Sequence, residues 1–67
     1  MTFREFFENC SVLQEIKVGY ENDLDEFVTL AQGSTAQDFV GFFDAEVELI
    51  YAGKGEIIYV EIEGDFE

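Results

Sequence analysis

The chain contains no histidine and no proline, one cysteine, and only three cationic side chains, Arg4, Lys17 and Lys54, among 67 residues. Without histidine, neither a Ser-His-Asp nor a Cys-His constellation can form, and the commonest general acid-base group is missing. Cys10 alone cannot close an intrachain disulfide or contribute to a cluster of thiolate ligands, which suits a reducing compartment. Its place near the end of an apolar helical segment marks it as a small core residue. No run approaches 18 apolar residues, and "MTFREFFENC" lacks the apolar stretch and small-residue cleavage site of a signal peptide. A cytoplasmic protein without membrane association is expected. No linker or internal repeat is visible, and a chain this short holds one domain at most, residues 1–67.

What the chain has in excess is acid. Sixteen Asp and Glu give a formal charge of -13 on 7.7 kDa. A globule of this length has a radius of gyration of roughly 11 Å and spans about 28 Å. Duplex DNA carries one charge per about 1.7 Å of axis, so thirteen charges match about 22 Å of duplex. The two charge densities are comparable. Such crowding opposes the compact state, disfavours direct contact with nucleic acid or an acidic membrane surface, and steers a basic protein toward the chain. Eight phenylalanines and a hydrophobic fraction of 48% nevertheless supply a folded core, unlike the aromatic-poor composition of disordered acidic chains.

The local patterns point to an α+β domain. Thr2 and Glu5 in "TFRE" form a capping box ahead of Phe3, Phe6, Phe7 and Cys10 at helical spacing, which places a helix at about Phe3 to Asn9. Val12, Ile16, Val18 and Tyr20 share one parity against Glu15 and Lys17, so a strand is expected from about Leu13 to Tyr20. In "NDLDEFVTLAQG", Leu24, Phe27, Val28 and Ala31 stand at i, i+3, i+4 and i+7, with Asn22 or Asp23 as cap and Gly33 as stop. A helix over residues 23–32 is preferred; its competitor is a strand hairpinned to the preceding one, since Val and Thr favour strands. "STAQDFVGFF" repeats the capping grammar with Gln37 or Asp38 as box partner. It places Ala36, Phe39, Val40 and Phe43 on one face of a third, short helix weakened by Gly41.

The last third reads as a β-hairpin, with Val47, Leu49 and Tyr51 alternating against Glu46, Glu48 and Ile50, then Ile58, Val60 and Ile62 against Ile57, Tyr59, Glu61 and Glu63. The expected order is α-β-α-α-β-β: a small, mainly antiparallel three-stranded sheet with two or three short helices on one face. Strand order stays open. A two-residue type II′ turn at Gly53-Lys54 would set Leu49 opposite Ile58 and Val47 opposite Val60 on the core side. On the outer side Ile50 would meet Ile57, Glu48 meet Tyr59, Glu46 meet Glu61, and Asp44 approach Glu63. Opposed like charges destabilise a sheet. Such an outer face serves either as a solvated barrier to edge aggregation or as a surface for a partner, with Tyr59 as an anchor.

The stretch "YENDLDEF" adds Glu21, Asp23, Asp25 and Glu26 to that anionic surface. It fails as an EF-hand loop: a loop starting at Glu21 puts Glu26 at the glycine position and Gln32 at the place of the bidentate glutamate. No metal site and no cofactor is expected. "AGKGE" lacks the GxxxxGK[ST] pattern and reads as a turn, paired carboxylates lack a cleft that so short a chain could wall, and no Asp-Ser-Leu sequence marks an acyl carrier. A non-enzymatic binding protein is expected.

In charge density, size and anionic sheet face, the whole chain resembles the small, very acidic phage-type inhibitors that imitate DNA, a class including uracil-DNA glycosylase inhibitors, anti-restriction proteins and some anti-CRISPR proteins. The resemblance lies in this general character and in no shared motif. It implies binding without catalysis to the nucleic-acid channel of a nuclease, glycosylase or CRISPR effector, with carboxylates where phosphates sit. The partner-binding residues on this reading are Glu21, Asp23, Asp25, Glu26, Asp44, Glu46, Glu48, Tyr59, Glu61 and Glu63. The alternative is an acidic immunity protein, antitoxin or small assembly subunit that binds a basic protein without copying nucleic acid. A homodimer is compatible with either.

Overall fold

A computed structural model describes residues 1–11 and 13–63. Helix α1 spans Phe3–Glu8, and four strands follow: β1 Ile16–Glu21, β2 Phe27–Gly33, β3 Val47–Ala52 and β4 Ile58–Ile62. They form one mixed sheet in the order β2-β1-β4-β3, with β1 antiparallel to β2, β4 antiparallel to β3, and β1 and β4 parallel in the centre. The radius of gyration is 11.0 Å. The architecture corrects the expected three-stranded, mainly antiparallel sheet with two or three helices: among the described residues there are four strands, one short α-helix and 3-10 turns.

The capping box forms as expected. The Thr2 hydroxyl accepts the Glu5 N–H, and the Glu5 carboxylate accepts the Thr2 N–H. Two further N–H groups of the first helical turn, which have no partner inside a helix, donate to the chain ahead of β3: Phe3 to the Ala45 carbonyl at 2.8 Å and Arg4 to that of Phe43 at 3.0 Å. These bonds seat the helix against one sheet face. There Phe3 and Phe39 meet edge to face at 5.1 Å, Phe7 and Phe43 close around them, and the cluster lies on Ile16, Val18, Val60 and Ile62 of the two central strands.

Residues expected to form a helix over 23–32 instead turn and become β2. Asn22 does not cap a helix: its Oδ1 accepts the N–H groups of Leu24 and Glu26 and closes a tight turn, while Asp25 takes a left-handed conformation at φ 60° that an α-helix cannot accommodate. Leu24, expected on the apolar face, is 76% exposed. The helical spacing has a different origin. Leu30 is a bulge between the Ala31–Val18 and Thr29–Gly19 pairs, so Leu30 and Ala31 both pack against the core and the period of two is broken. The strand also ties its backbone into a sheet, whereas an isolated ten-residue helix is marginal.

The third helix reduces to a 3-10 turn, Ala36–Phe39. Asp38 is its polar anchor, accepting the N–H groups of Ser34 and Thr35 and the Thr35 hydroxyl. Phe39 is buried, Val40 is 72% exposed rather than on an apolar face, and Gly41 at φ 97° turns the chain. β1 keeps the expected parity, with Ile16 and Val18 buried and Tyr20 half-buried, but starts at Ile16. The expected contribution of Val12 lies outside the described residues.

The packing of Phe39 predicts that Phe39→Ala costs about 3–5 kcal/mol, a third or more of the roughly 3–10 kcal/mol available to a domain of this size. Val40→Ala, on the next residue but solvent-exposed, should change stability by less than about 0.5 kcal/mol. Urea unfolding followed by circular dichroism measures both.

Candidate partner-binding face

Parallel pairing in the centre of the sheet decides where the acids go. β1 and β4 end at the same side, and β2 and β3 begin there, so Glu21 at the end of β1, the turn bearing Asp23, Asp25 and Glu26, and Glu61 and Glu63 near the end of β4 share one end of the sheet. Asp44, Glu46 and Glu48 at the start of β3 join them, and the Thr2–Glu46 bridge fastens the amino terminus alongside. Nine of the ten expected site residues are thus gathered from three chain regions. Tyr59 stands apart, in the middle of the outer face opposite Tyr51 and Lys17.

Neutralisation of these acids is slight. Among the described residues there are two ion pairs, the amino terminus with Glu46 at 3.3 Å and Arg4 with Asp44 at 3.6 Å. Of fourteen described Asp and Glu, thirteen are exposed. Glu61 is the exception at 7% exposure. Its charge, then burial, then the nearby Asp25 carboxyl hold the Glu21 carboxyl above the ordinary range.

The expected hairpin register is corrected. The β3–β4 connection is five residues long, with a 3-10 turn at Lys54–Glu56, left-handed Gly55 and Glu56, and a 2.8 Å bond from the Gly53 N–H to the Ile57 carbonyl. It pairs Ala52 with Ile58, Tyr51 with Tyr59, Ile50 with Val60 and Leu49 with Glu61. The odd displacement from a two-residue turn reverses the faces of β3. Leu49, expected in the core, is 51% exposed, and Ile50 opposes buried Val60. Neither Glu46–Glu61 nor Glu48–Tyr59 is a cross-strand pair. A bulge at Glu48 then restores Val47 to the core side, opposite Ile62.

The outer face therefore carries aromatic rings that were not expected together. Phe27, paired with Glu21, lies 4.9 Å from Tyr59, and Tyr59 lies 5.4 Å from Tyr51. Glycines form their floor. A Cβ on Gly19 would strike the Val28 carbonyl and come within 2.9 Å of the Phe27 ring, and one on Gly53 would strike the Tyr59 ring. The Lys17 ammonium stands 5.4 Å from the Tyr59 centroid. Burial, then the Glu61 charge and hydrogen bonding to its carboxylate, push the Tyr51 hydroxyl up. A glycine-containing loop of three to five residues, a common hairpin connection, would have signalled the Tyr51–Tyr59 pair. Phe27 was hidden by its helix-like spacing.

Elsewhere, burial pushes the Cys10 thiol up, and it lines a cleft of about 390 Å³ with Phe7, Ser34 and Thr35. Among the described residues, no three His, Cys, Asp or Glu converge as metal ligands, and no helix is long and apolar enough to cross a membrane.

Glu21 and Asp38 should give opposite pH signatures. Because the folded Glu21 carboxyl binds its proton more tightly than the unfolded one, its ionisation removes stability as pH rises through the carboxylate range. Glu21→Gln should therefore melt above the parent at pH 7, with the difference vanishing near pH 3. The Thr35 and Ser34 hydrogen bonds hold Asp38 below the ordinary range, so its contribution is present at neutral pH and lost in strong acid. Asp38→Ala should melt below the parent at pH 7, with the gap narrowing near pH 2; thermal melts across pH measure both. No family model matches the chain, and neither a curated protein nor a solved structure matches it significantly.

Proposed function

We propose that this protein is a non-enzymatic inhibitor that binds a basic nucleic-acid-binding protein, a nuclease, glycosylase or CRISPR effector, with its surface carboxylates imitating DNA phosphates. One observation carries the reading: thirteen exposed carboxylates among the described residues, two of them in ion pairs, with most collected at one end of the sheet from distant chain segments. Unneutralised charge at one end of a domain whose longest dimension is 32 Å presents a potential of the order of a short duplex. Arg and Lys lining a nucleic-acid channel would engage it through charge-assisted hydrogen bonds, with fast, salt-sensitive association. The site of action on this reading is the cytoplasm, that of the host cell if the protein is phage-encoded.

A second reading is favoured by the Phe27–Tyr51–Tyr59 cluster, because aromatic anchors such as exposed Tyr51 beside half-buried Phe27 and Tyr59 suit an ordinary protein interface. On it the chain is an acidic immunity protein, antitoxin or assembly subunit whose basic partner need not bind nucleic acid.

Capture from bacterial lysate with elution by a salt gradient, followed by competition with duplex DNA, separates the two. A mimic yields a nucleic-acid enzyme that elutes steeply with salt and that DNA displaces; a partner indifferent to DNA supports the second reading. The triple variant Asp23→Lys, Glu26→Lys, Glu48→Lys, all at exposed positions, should weaken capture at least about tenfold by removing or reversing charge-assisted contacts. It should melt no lower than the parent. The parent itself should melt higher in moderate than in low salt, because screening relieves its self-repulsion.

A further inference from the structure

The charged end leaves one part of the outer face unexplained. Glu61 extends from a central strand between Gly19 of β1 and Leu49 of β3, and it is more than nine-tenths buried. Among the described residues no cation forms an ion pair with it. Its hydrogen-bond partner is the neutral Tyr51 hydroxyl, whereas the carboxylate of a side chain covered to this degree is ordinarily paired with a cation. Beside it stand three rings of Phe27, Tyr51 and Tyr59 whose faces carry negative quadrupole potential. Carboxylate and rings call for the same thing, a cation. Lys17 answers only in part: its ammonium approaches the Tyr59 ring but forms no ion pair with Glu61 or Glu21.

Resting on the reading of a basic protein partner, we propose that the Phe27–Tyr51–Tyr59 cluster with Glu61 and Glu21 is the seat for one arginine side chain of that partner. The guanidinium stacks on the rings and donates to the two carboxylates. Arginine fits better than lysine because its planar fork stacks on aromatic faces, donates bidentately and sheds its weak hydration more readily than an ammonium. The seat is formed in advance. Gly19 and Gly53 let Phe27 and Tyr59 lie against the backbone, where any side chain would displace them, and pre-positioned rings lower the ordering cost of binding. An arriving cation also relieves the repulsion between Glu21 and Glu61. A second copy of this chain, itself strongly anionic, is disfavoured as occupant by the same electrostatics.

Nuclear magnetic resonance titration of the full chain with acetyl-Gly-Arg-Gly-amide tests the seat, with the lysine and citrulline peptides as controls. The arginine peptide should shift the ring resonances of Phe27, Tyr51 and Tyr59 saturably, several-fold more tightly than the lysine peptide, and citrulline should not bind. Tyr51→Leu and Glu61→Gln should each weaken arginine binding by about tenfold, whereas Asp23→Lys with Glu26→Lys should retain the ring shifts. Spectra of the free variants establish that they are folded. Equal affinities for lysine and arginine, shifts confined to the amides of residues 23–26, or unchanged binding in both Tyr51→Leu and Glu61→Gln would overturn the seat. The two proposals separate in the data. If a basic protein is captured but the peptide leaves the rings unmoved, the seat fails and the partner reading stands; if the rings bind arginine but no basic protein is captured, the reverse holds.

Discussion

Ile16 and Val18 of β1 lie beside Ile58 and Val60 of β4 in parallel register, and these central strands also supply the buried floor on which the phenylalanine cluster packs. Parallel strands cannot be joined by a short hairpin. The intervening chain must therefore leave the end of β1, return as β2, cross the core face as the 3-10 turn and phenylalanine segment, and come back as β3 before β4 can be laid down. That route places Phe39 and Phe43 over the sheet, where they meet Phe3 and Phe7 of α1. A second consequence is electrostatic. Because the two central strands point the same way, their carboxylate-rich ends coincide, and repulsion that could have been distributed around the molecule is concentrated at one end.

That concentration is tolerated because it is mostly hydrated and because the apolar cluster is buried between α1 and the sheet face that it covers. Cations are placed sparingly: the amino terminus and Arg4 meet Glu46 and Asp44 beside α1, and Lys17 is diverted to the Tyr59 ring. Glu61 departs from the pattern, being a buried acid in a central strand where a β-branched residue would stabilise more. A buried charge without a countercharge is costly in the free protein. The Tyr51 hydroxyl offsets part of that cost, and no cation among the described residues forms an ion pair with Glu61.

Several elements were legible from short-range chemistry. The capping box at Thr2 and Glu5, the parity of Ile16 and Val18, and the alternation of Ile58, Val60 and Ile62 all reappear in the fold, because each depends on neighbours within four residues. The misread elements share a different cause. In β2 a bulge at Leu30 made a strand look helical, and in β3 a five-residue connection in place of two turned Leu49 and Tyr51 outward and brought Ile50 opposite Val60. Bulges and loop lengths are choices among locally similar alternatives, settled by which register lets the core close. The acidic residues were legible one by one, but their gathering at one end of the sheet was not.

Composition and local pattern by themselves determined that the chain is strongly anionic, that it lacks the histidine of His-based catalysis and the second cysteine of an intrachain disulfide, and that it folds around phenylalanine and β-branched residues. Charge, residue type and spacing of two to four residues are properties of the chain before it folds. Only the tertiary structure decided that β1 and β4 run parallel, that the acids of residues 21–26 and 44–63 share one end, and that Phe27, Tyr51, Tyr59 and Glu61 meet on the outer face. Those juxtapositions reach well beyond such spacings, with Phe27 and Tyr51 24 positions apart and Gly19 and Glu61 42 apart, and strand order and register, which follow from closing a single core, alone bring them together.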